Sequence, residues 1–228
     1  MRLNKKTYKY FYDNVHSVYY NLLMKYCFLP AGGEEKCRAE LIDSIDLSPK
    51  DRILDMCCGT GGATFAIAKR AGKEAEIAGM DLSPGQVEVA RKGNRYKNIK
   101  FTQGDVVNTD FEEGYFDKVF ITHALHEMRR PERLNTLLEA KRILKEGGRV
   151  VVLEVDNPEG VFRRIFVGLW LFYWLPFNFE TPTRRDMLKR GLTNELREAG
   201  FKNIRKSPKH HGVFQVVEGQ KLLGHPLD

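Results

Sequence analysis

The stretch DRILDMCCGTGG, residues 51–62, decides the fold. Ile53-Leu54-Asp55-Met56 is a short, largely apolar run of the kind that forms a buried strand. It runs directly into a glycine-rich turn, and Ala63 to Ala71 then reads as a helix. Glycines let a backbone turn tightly and approach a ligand closely. A helix opening behind them brings unpaired amide donors to the same place. Alone, the pattern also suits an ordinary strand–helix turn.

Outward from this stretch the pattern repeats. Glu76 to Met80 reads as a second strand ending on Asp81, and Ser83-Pro84 supplies an N-cap and a first helical position. A third strand, Ile99 to Gln103, closes on Gly104-Asp105. Phe116 to Ile121 reads as a fourth, Pro131 to Leu144 as a helix and Gly148 to Val155 as a fifth strand. This alternation predicts an α/β fold: a Rossmann-like, doubly wound, mainly parallel sheet covered on both faces. Ligands on such sheets bind at the carboxyl ends of the strands. Asp81 stands where a carboxylate accepts both hydroxyls of a ribose. Asp105 can accept from an exocyclic adenine amine while the backbone N–H of Val106 donates to the ring.

The chain has 228 residues and a net charge of +7, with no repeat and no low-complexity tract. That length predicts a single domain. The charge is uneven: residues 51–155 carry 17 basic and 16 acidic side chains, so almost all of the excess lies in the flanks. Of 25 aromatic residues, eight fall in residues 8–28 and eight in residues 161–179. Residues 8–28 and 34–45 read as helices of an N-terminal cap. No apolar run reaches the ~18 residues of a membrane span, and no export leader is expected. No basic stripe or zinc-like spacing supports a nucleic-acid partner. Cys27, Cys37, Cys57 and Cys58 form no CxxC pair and no disulfide framework, so a reducing, cytoplasmic setting and no metal are expected.

The segments ILDMCCGTGGATF, GMDLSPGQVEVAR, FTQGDVV, FDKVFITHALHEM and AKRILKEGGRVVVLEV, in this order, resemble the class I S-adenosylmethionine-dependent methyltransferases. Within them the chain looks most like the C-methyltransferases of ubiquinone and menaquinone biosynthesis, through Tyr12-Asp13, LLEAKRILKEGGRVVVLEVDNPEG and HGVFQVVEGQK. His126-Glu127 stands where those enzymes often carry Arg-Asn, and Cys57 where the pattern often has glycine. The resemblance implies S-adenosylmethionine as cofactor. Gly59, Thr60 and Gly61 would lie beneath its methionine part, Asp55 near its ammonium, and Tyr12 over its carboxylate. Asp81 would hold the ribose, Leu82 and Val106 with Asp105 the adenine, and Thr122 and His123 would lie near the sulfonium. It also divides the single domain into a cap (1–48), a cofactor core (49–155), an aromatic substrate lid (156–192) and a C-terminal helix and strands (193–228).

The methyl acceptor must lose a proton, and His126 is the expected base, ahead of His123 and Glu154, with Glu127 and Asp156 behind them. His210-His211, adjacent on a strand pattern, would face opposite sides and make poor metal partners for each other. The segment VFRRIFVGLWLFYWLPFNF, residues 161–179, lies where the family inserts its lid. Its apolar run, Ile165 to Phe177, is too short to span a bilayer and suits a pocket for an aromatic or lipid-like acceptor, flanked by Arg163-Arg164 and Arg184-Arg185 that can meet phosphates. A peripheral membrane contact and a homodimer surface are the other roles open to it. The expected activity is methyl transfer to a lipid-like or aromatic acceptor such as a quinol ring carbon. The alternatives are N-, O- or S-methylation of a phospholipid head group or small metabolite, nucleic-acid methylation, and a non-catalytic cofactor-binding subunit.

Overall fold

The computed structural model describes residues 33–157, 160 and 181–222. They group into two compact units, divided in the sequence between Asp110 and Phe111, inside the segment expected as one cofactor core. The aromatic helix over residues 8–28, with Tyr12, and the segment 161–179 lie outside the described residues.

The first unit contains α1 (Glu34–Asp43), β1 (Arg52–Met56), α2 (Gly62–Ala71), β2 (Glu76–Asp81), α3 (Pro84–Gly93) and β3 (Ile99–Gln103). Its strands lie in the order β3-β2-β1, all parallel, with Leu54 opposite Ala78 and Ala78 opposite Lys100. Ile53, Leu54 and Met56 are fully buried, which explains the continuous apolar run in β1. On α2, Ala63, Ile67, Ala68 and Ala71 are buried at helical spacing, and Gly72 ends the helix at φ +91°. On α3, the Ser83 hydroxyl accepts from the Gln86 N–H at 3.3 Å and Pro84 opens the helix, as the sequence predicts. Gly79 on β2 has a packing reason: a Cβ there would lie 2.6 Å from the Phe101 ring.

The second unit contains β4 (Phe116–Thr122), α4 (Arg130–Ile143), β5 (Leu144–Val155), α5 (Thr181–Arg190), α6 (Leu192–Glu198), β6 (Lys202–Lys209) and β7 (Phe214–Gln220). Single 3-10 turns span Leu125–Glu127 and His210–Gly212. The strand order is β4-β5-β7-β6; β4 and β5 are parallel, and β7 is antiparallel to both β5 and β6. β5 starts at Leu144, earlier than the expected Gly148, because Leu144 already pairs with Phe116. The register then shifts before Lys118 pairs with Arg149, and Gly147 at φ +80° accommodates the irregularity. His210 and His211 lie in the 3-10 turn and not on a strand, so the alternation argument does not apply to them.

Charge fixes the helices of the second unit as firmly as apolar packing does. Arg133 on α4 is fully buried. Its guanidinium donates to Glu195 on α6 at 2.7 and 2.9 Å, to Asp186 on α5 at 2.7 Å and to the Met128 carbonyl at 2.8 Å. This planar fork satisfies two carboxylates and a turn at once. Arg133→Met would leave Glu195 buried without its cation, and urea denaturation is expected to show a loss of ~3–5 kcal/mol. Asp186→Asn, at the half-exposed arm, is expected to cost ~1 kcal/mol or less.

Candidate active site

The loop after β1 is held by backbone and carboxylate together. The Cys58 N–H donates to the Met80 carbonyl at 2.9 Å, and the Gly61 N–H donates to the Cys58 carbonyl at 2.9 Å. Gly59 and Gly61 have φ of +53° and +86°, and a Cβ on Gly59 would meet nothing within 4 Å. The loop is thus open at Gly59, where the backbone is bare. Cys57 also has a positive φ, +62°, which is strained for a side-chain-bearing residue and explains why the related pattern often has glycine there. Burial pushes the Cys58 thiol up, with the charges of Asp55 and Asp81 adding, so this cysteine packs as a thiol.

Asp81 has a role the sequence did not disclose. One carboxylate oxygen accepts the Gly59 N–H at 2.8 Å and the other accepts the Ser83 N–H at 2.9 Å. It therefore ties the glycine loop to the start of α3. Leu82 beside it is 39% exposed, an apolar face left open at the strand end. After β3, Asp105 accepts the Val107 N–H at 3.1 Å and makes a local turn, while the Val106 side chain packs in the interior. Asp81 is the last residue of β2, and Leu82 and Asp105 follow the ends of β2 and β3.

Asp55 is fully buried. Its Oδ2 accepts from the Thr64 hydroxyl at 2.6 Å, and among the described residues its Oδ1 has no hydrogen-bond partner. Burial raises this carboxyl to about 7; the Thr64 bond and the charge of Arg38 pull it down, and Asp81 pushes it up. A buried carboxylate with an orphan oxygen calls for a cation or donor from outside the protein. Thr64 was missed by sequence reading. Its one signal is its place in the first turn of the helix behind the glycine loop.

In the second unit, three of the expected residues converge. Glu154, near the end of β5, is fully buried. Its Oε1 lies 2.7 Å from His126 Nδ1 and accepts the Val155 N–H at 2.8 Å; its Oε2 accepts the His126 N–H at 3.2 Å. His123 Nδ1 stands 3.8 Å from Oε1. Burial alone would raise the Glu154 carboxyl, but the His126 charge, followed by His123, more than offsets it and holds the group below the usual carboxylate range. An ionised Glu154 only accepts, so His126 carries its proton on Nδ1, and in the neutral ring the lone pair is on Nε2. The His123 ring meets Phe214 edge-on at 5.3 Å, and His210 meets the same Phe214 ring edge-on at 5.9 Å. Thr122 is buried and its hydroxyl has no partner. Asp156 is engaged by Lys206 at 2.6 Å and is thereby removed from the candidate bases nearest the pair. Glu127 ends the 3-10 turn that carries His126. Among the described residues no cluster of His, Cys, Asp or Glu suits a metal, and no helix is long and apolar enough to cross a membrane.

Comparison with known proteins bears on the family and the fold. A methyltransferase-domain family model matches residues 53–148. An uncharacterized methyltransferase of Synechocystis is 31% identical, over 88% of this chain and 90% of its own length. The chain belongs to the class I S-adenosylmethionine-dependent methyltransferases. Within that class it is similar to the demethylmenaquinone methyltransferase of Staphylococcus aureus, 30% identical over 92% of this chain and 93% of that one. An S-adenosylmethionine-dependent methyltransferase of Thermotoga maritima shares the Rossmann-like α/β fold, with a TM-score of 0.64 over 93% of this chain and 98% of that one at 19% identity.

The protein is therefore an enzyme that uses S-adenosylmethionine and a methyl acceptor. The first unit fits this cofactor on two counts: the orphan oxygen of Asp55 suits a cationic group, and the bare backbone at Gly59 leaves room for close approach. Two outcomes follow. Because native Asp55 keeps its proton up to about 7, the cofactor-free protein should lose stability as pH rises from ~4 to ~7. Asp55→Asn should flatten that dependence in denaturant titrations. Asp81→Ala should weaken S-adenosylmethionine binding by ~1–3 kcal/mol in calorimetry and also lower stability, because two backbone N–H groups lose their acceptor.

Proposed function

We propose that the enzyme methylates a ring carbon of a quinol-like aromatic acceptor, with His126 as the base. The observation that carries this is the His126 imidazole tethered through Nδ1, at 2.7 Å, to a fully buried, ionised Glu154. The similarity to the demethylmenaquinone methyltransferase supports the choice of acceptor. S-adenosylmethionine supplies, when bound, a methyl group made electrophilic by its sulfonium. In this reading Asp55 faces the ammonium and the Gly59-Thr60-Gly61 loop supports the methionine part. Asp81 accepts the ribose hydroxyls, Leu82 packs on the adenine, and Asp105 with the Val106 N–H fixes its edge. Tyr12, Thr122 and His123 complete the donor side, and residues 1–228 act as one methyltransferase domain.

The chain's own contribution to the chemistry is proton management and exclusion of water. His126 Nε2 takes a proton from the acceptor, and Glu154 stabilises the imidazolium that results. Backbone and side-chain contacts of Glu154 hold the ring in one tautomer and one orientation. His123 and Phe214 contribute an aromatic wall beside the pair. This arrangement suits a phenolic or activated aromatic acceptor: its ring carbon becomes nucleophilic as the hydroxyl is deprotonated, and after the methyl group adds, the ring C–H proton is lost and the hydroxyl is restored, so that one proton in all is released, through His126.

With labelled cofactor and a short-chain demethylated naphthoquinol, label is expected in the lipid-soluble product; label only in polar products overturns the acceptor. His126→Ala should reduce kcat by ~100-fold or more while leaving cofactor affinity intact. Glu154→Gln should shift the acidic limb of the kcat profile to lower pH, because the carboxylate no longer favours the protonated imidazole. Normal turnover in His126→Ala would remove that residue as base.

A further inference from the structure

The imidazole of His126 is carried on a single 3-10 turn, Leu125–Glu127, and so short a turn holds its own shape weakly. Inside it the Glu127 N–H donates to the Ala124 carbonyl at 3.2 Å and the Met128 N–H to the Leu125 carbonyl at 3.1 Å. The entry to the turn is fixed from the sheet: the His123 N–H donates to the Leu153 carbonyl at 2.8 Å, and Leu125 is fully buried. The exit is Met128, extended at φ −85° and ψ 147°, where the chain leaves for α4. The 2.7 Å contact between His126 Nδ1 and Glu154 weakens steeply once it lengthens or bends, so the exit must be held as firmly as the entry.

Arg133 supplies that hold. Its Nη1 donates to the Met128 carbonyl at 2.8 Å. The rest of the guanidinium is clamped: Nε and Nη2 donate to the two Glu195 oxygens at 2.9 and 2.7 Å, and Nη2 also donates to Asp186 at 2.7 Å. A rigid planar group gripped along two edges cannot swing its third edge away from the turn. The start of α4 locks onto the same place, because the Arg129 N–H donates to Glu132 at 3.2 Å and the Thr136 hydroxyl lies 3.6 Å from Met128 Sδ. Helix packing accounts for Glu195 and Asp186 as partners; it does not account for a bond spent on a carbonyl of the turn. Two carboxylates face this one guanidinium, so the brace brings no net positive charge to oppose an imidazolium on His126.

We infer that Arg133 is a positioning residue for methyl transfer: through the Met128 carbonyl it keeps the His126 turn in the register that sets the imidazole against Glu154. As a statement about the base this rests on the proposed function; as a statement about what holds His126 it rests on α4, α5, α6 and the turn alone. A displacement of about 1 Å at a reacting group is costly in catalysis, and a supporting residue with locked partners prevents it.

The full chain, with nitrogen-15 in its histidines, is tested by following the Nδ1–H proton resonance of His126, assigned by its loss in His126→Ala. Arg133→Lys keeps the charge and removes the fork. Glu195→Gln keeps the shape and removes the charge that aims the guanidinium, and it gives the same reading should the lysine variant not fold. Phe116→Leu is the control: Phe116 is fully buried at the start of β4, the end of that strand away from His126. Circular dichroism and cofactor affinity check that each variant is folded. In Arg133→Lys or Glu195→Gln the resonance is expected to broaden into exchange with water. With the demethylated naphthoquinol, kcat is expected to fall about tenfold or more while KM for S-adenosylmethionine stays within about twofold. Phe116→Leu is expected to lose stability in urea and to keep both the resonance and kcat. No protected resonance in the unaltered protein, an unchanged one in the folded arginine and glutamate variants, or an equal loss in Phe116→Leu overturns the positioning role. Normal turnover in His126→Ala strikes the proposed base, and the resonance then decides by itself whether Arg133 holds the turn.

Discussion

A carboxylate at the end of a buried strand is the constraint on which much of this structure rests. Moving such a charge out of water costs several kcal/mol unless partners replace the lost hydration. β1, β2 and β5 each carry one at or near the carboxyl end, and each meets the constraint differently. Asp81 takes two backbone N–H groups, at 2.8 and 2.9 Å, and thereby shapes two loops. Glu154 takes an imidazole and backbone donors and stays ionised. Asp55 has one hydroxyl and an orphan oxygen, and its carboxyl rises to about 7.

These differences sort the three groups by chemistry. Asp81 is an organiser that ties the glycine loop to the start of α3 through both carboxylate oxygens. Glu154 acts through His126, setting its tautomer and its orientation. Asp55 is the incomplete one, and its burial without full satisfaction is the kind of local cost that functional sites carry. The strained φ of +62° at Cys57 belongs with it, in the same glycine loop.

The second unit adds a mechanical layer. Arg133 joins α4, α5, α6 and the carbonyl at Met128, two residues beyond His126. The turn that presents His126 and the two helices α5 and α6 are therefore held by one guanidinium.

The sequence by itself determined the order of elements and the strand ends at which candidate ligand-binding residues fall. Apolar runs of strand length, glycine turns and the Ser83-Pro84 cap are local signals, and local signals survive in sequence. The strand-end rule then singled out Asp81, Asp105 and His126, and the family resemblance added Asp55 and Glu154, without coordinates. Only the tertiary structure decided what each of them touches. Nothing in the sequence separation of 28 between His126 and Glu154 announces a 2.7 Å contact. The second role of Asp81 needs the spatial approach of Gly59, 22 residues away, and Arg133 needs partners 53 and 62 residues distant. The early start of β5 likewise depends on Phe116 across the sheet and not on the polar residues of Lys145 to Gly147. Periodicity reports which face of an element is buried; long-range hydrogen bonding, which it does not report, decides the chemistry of that face.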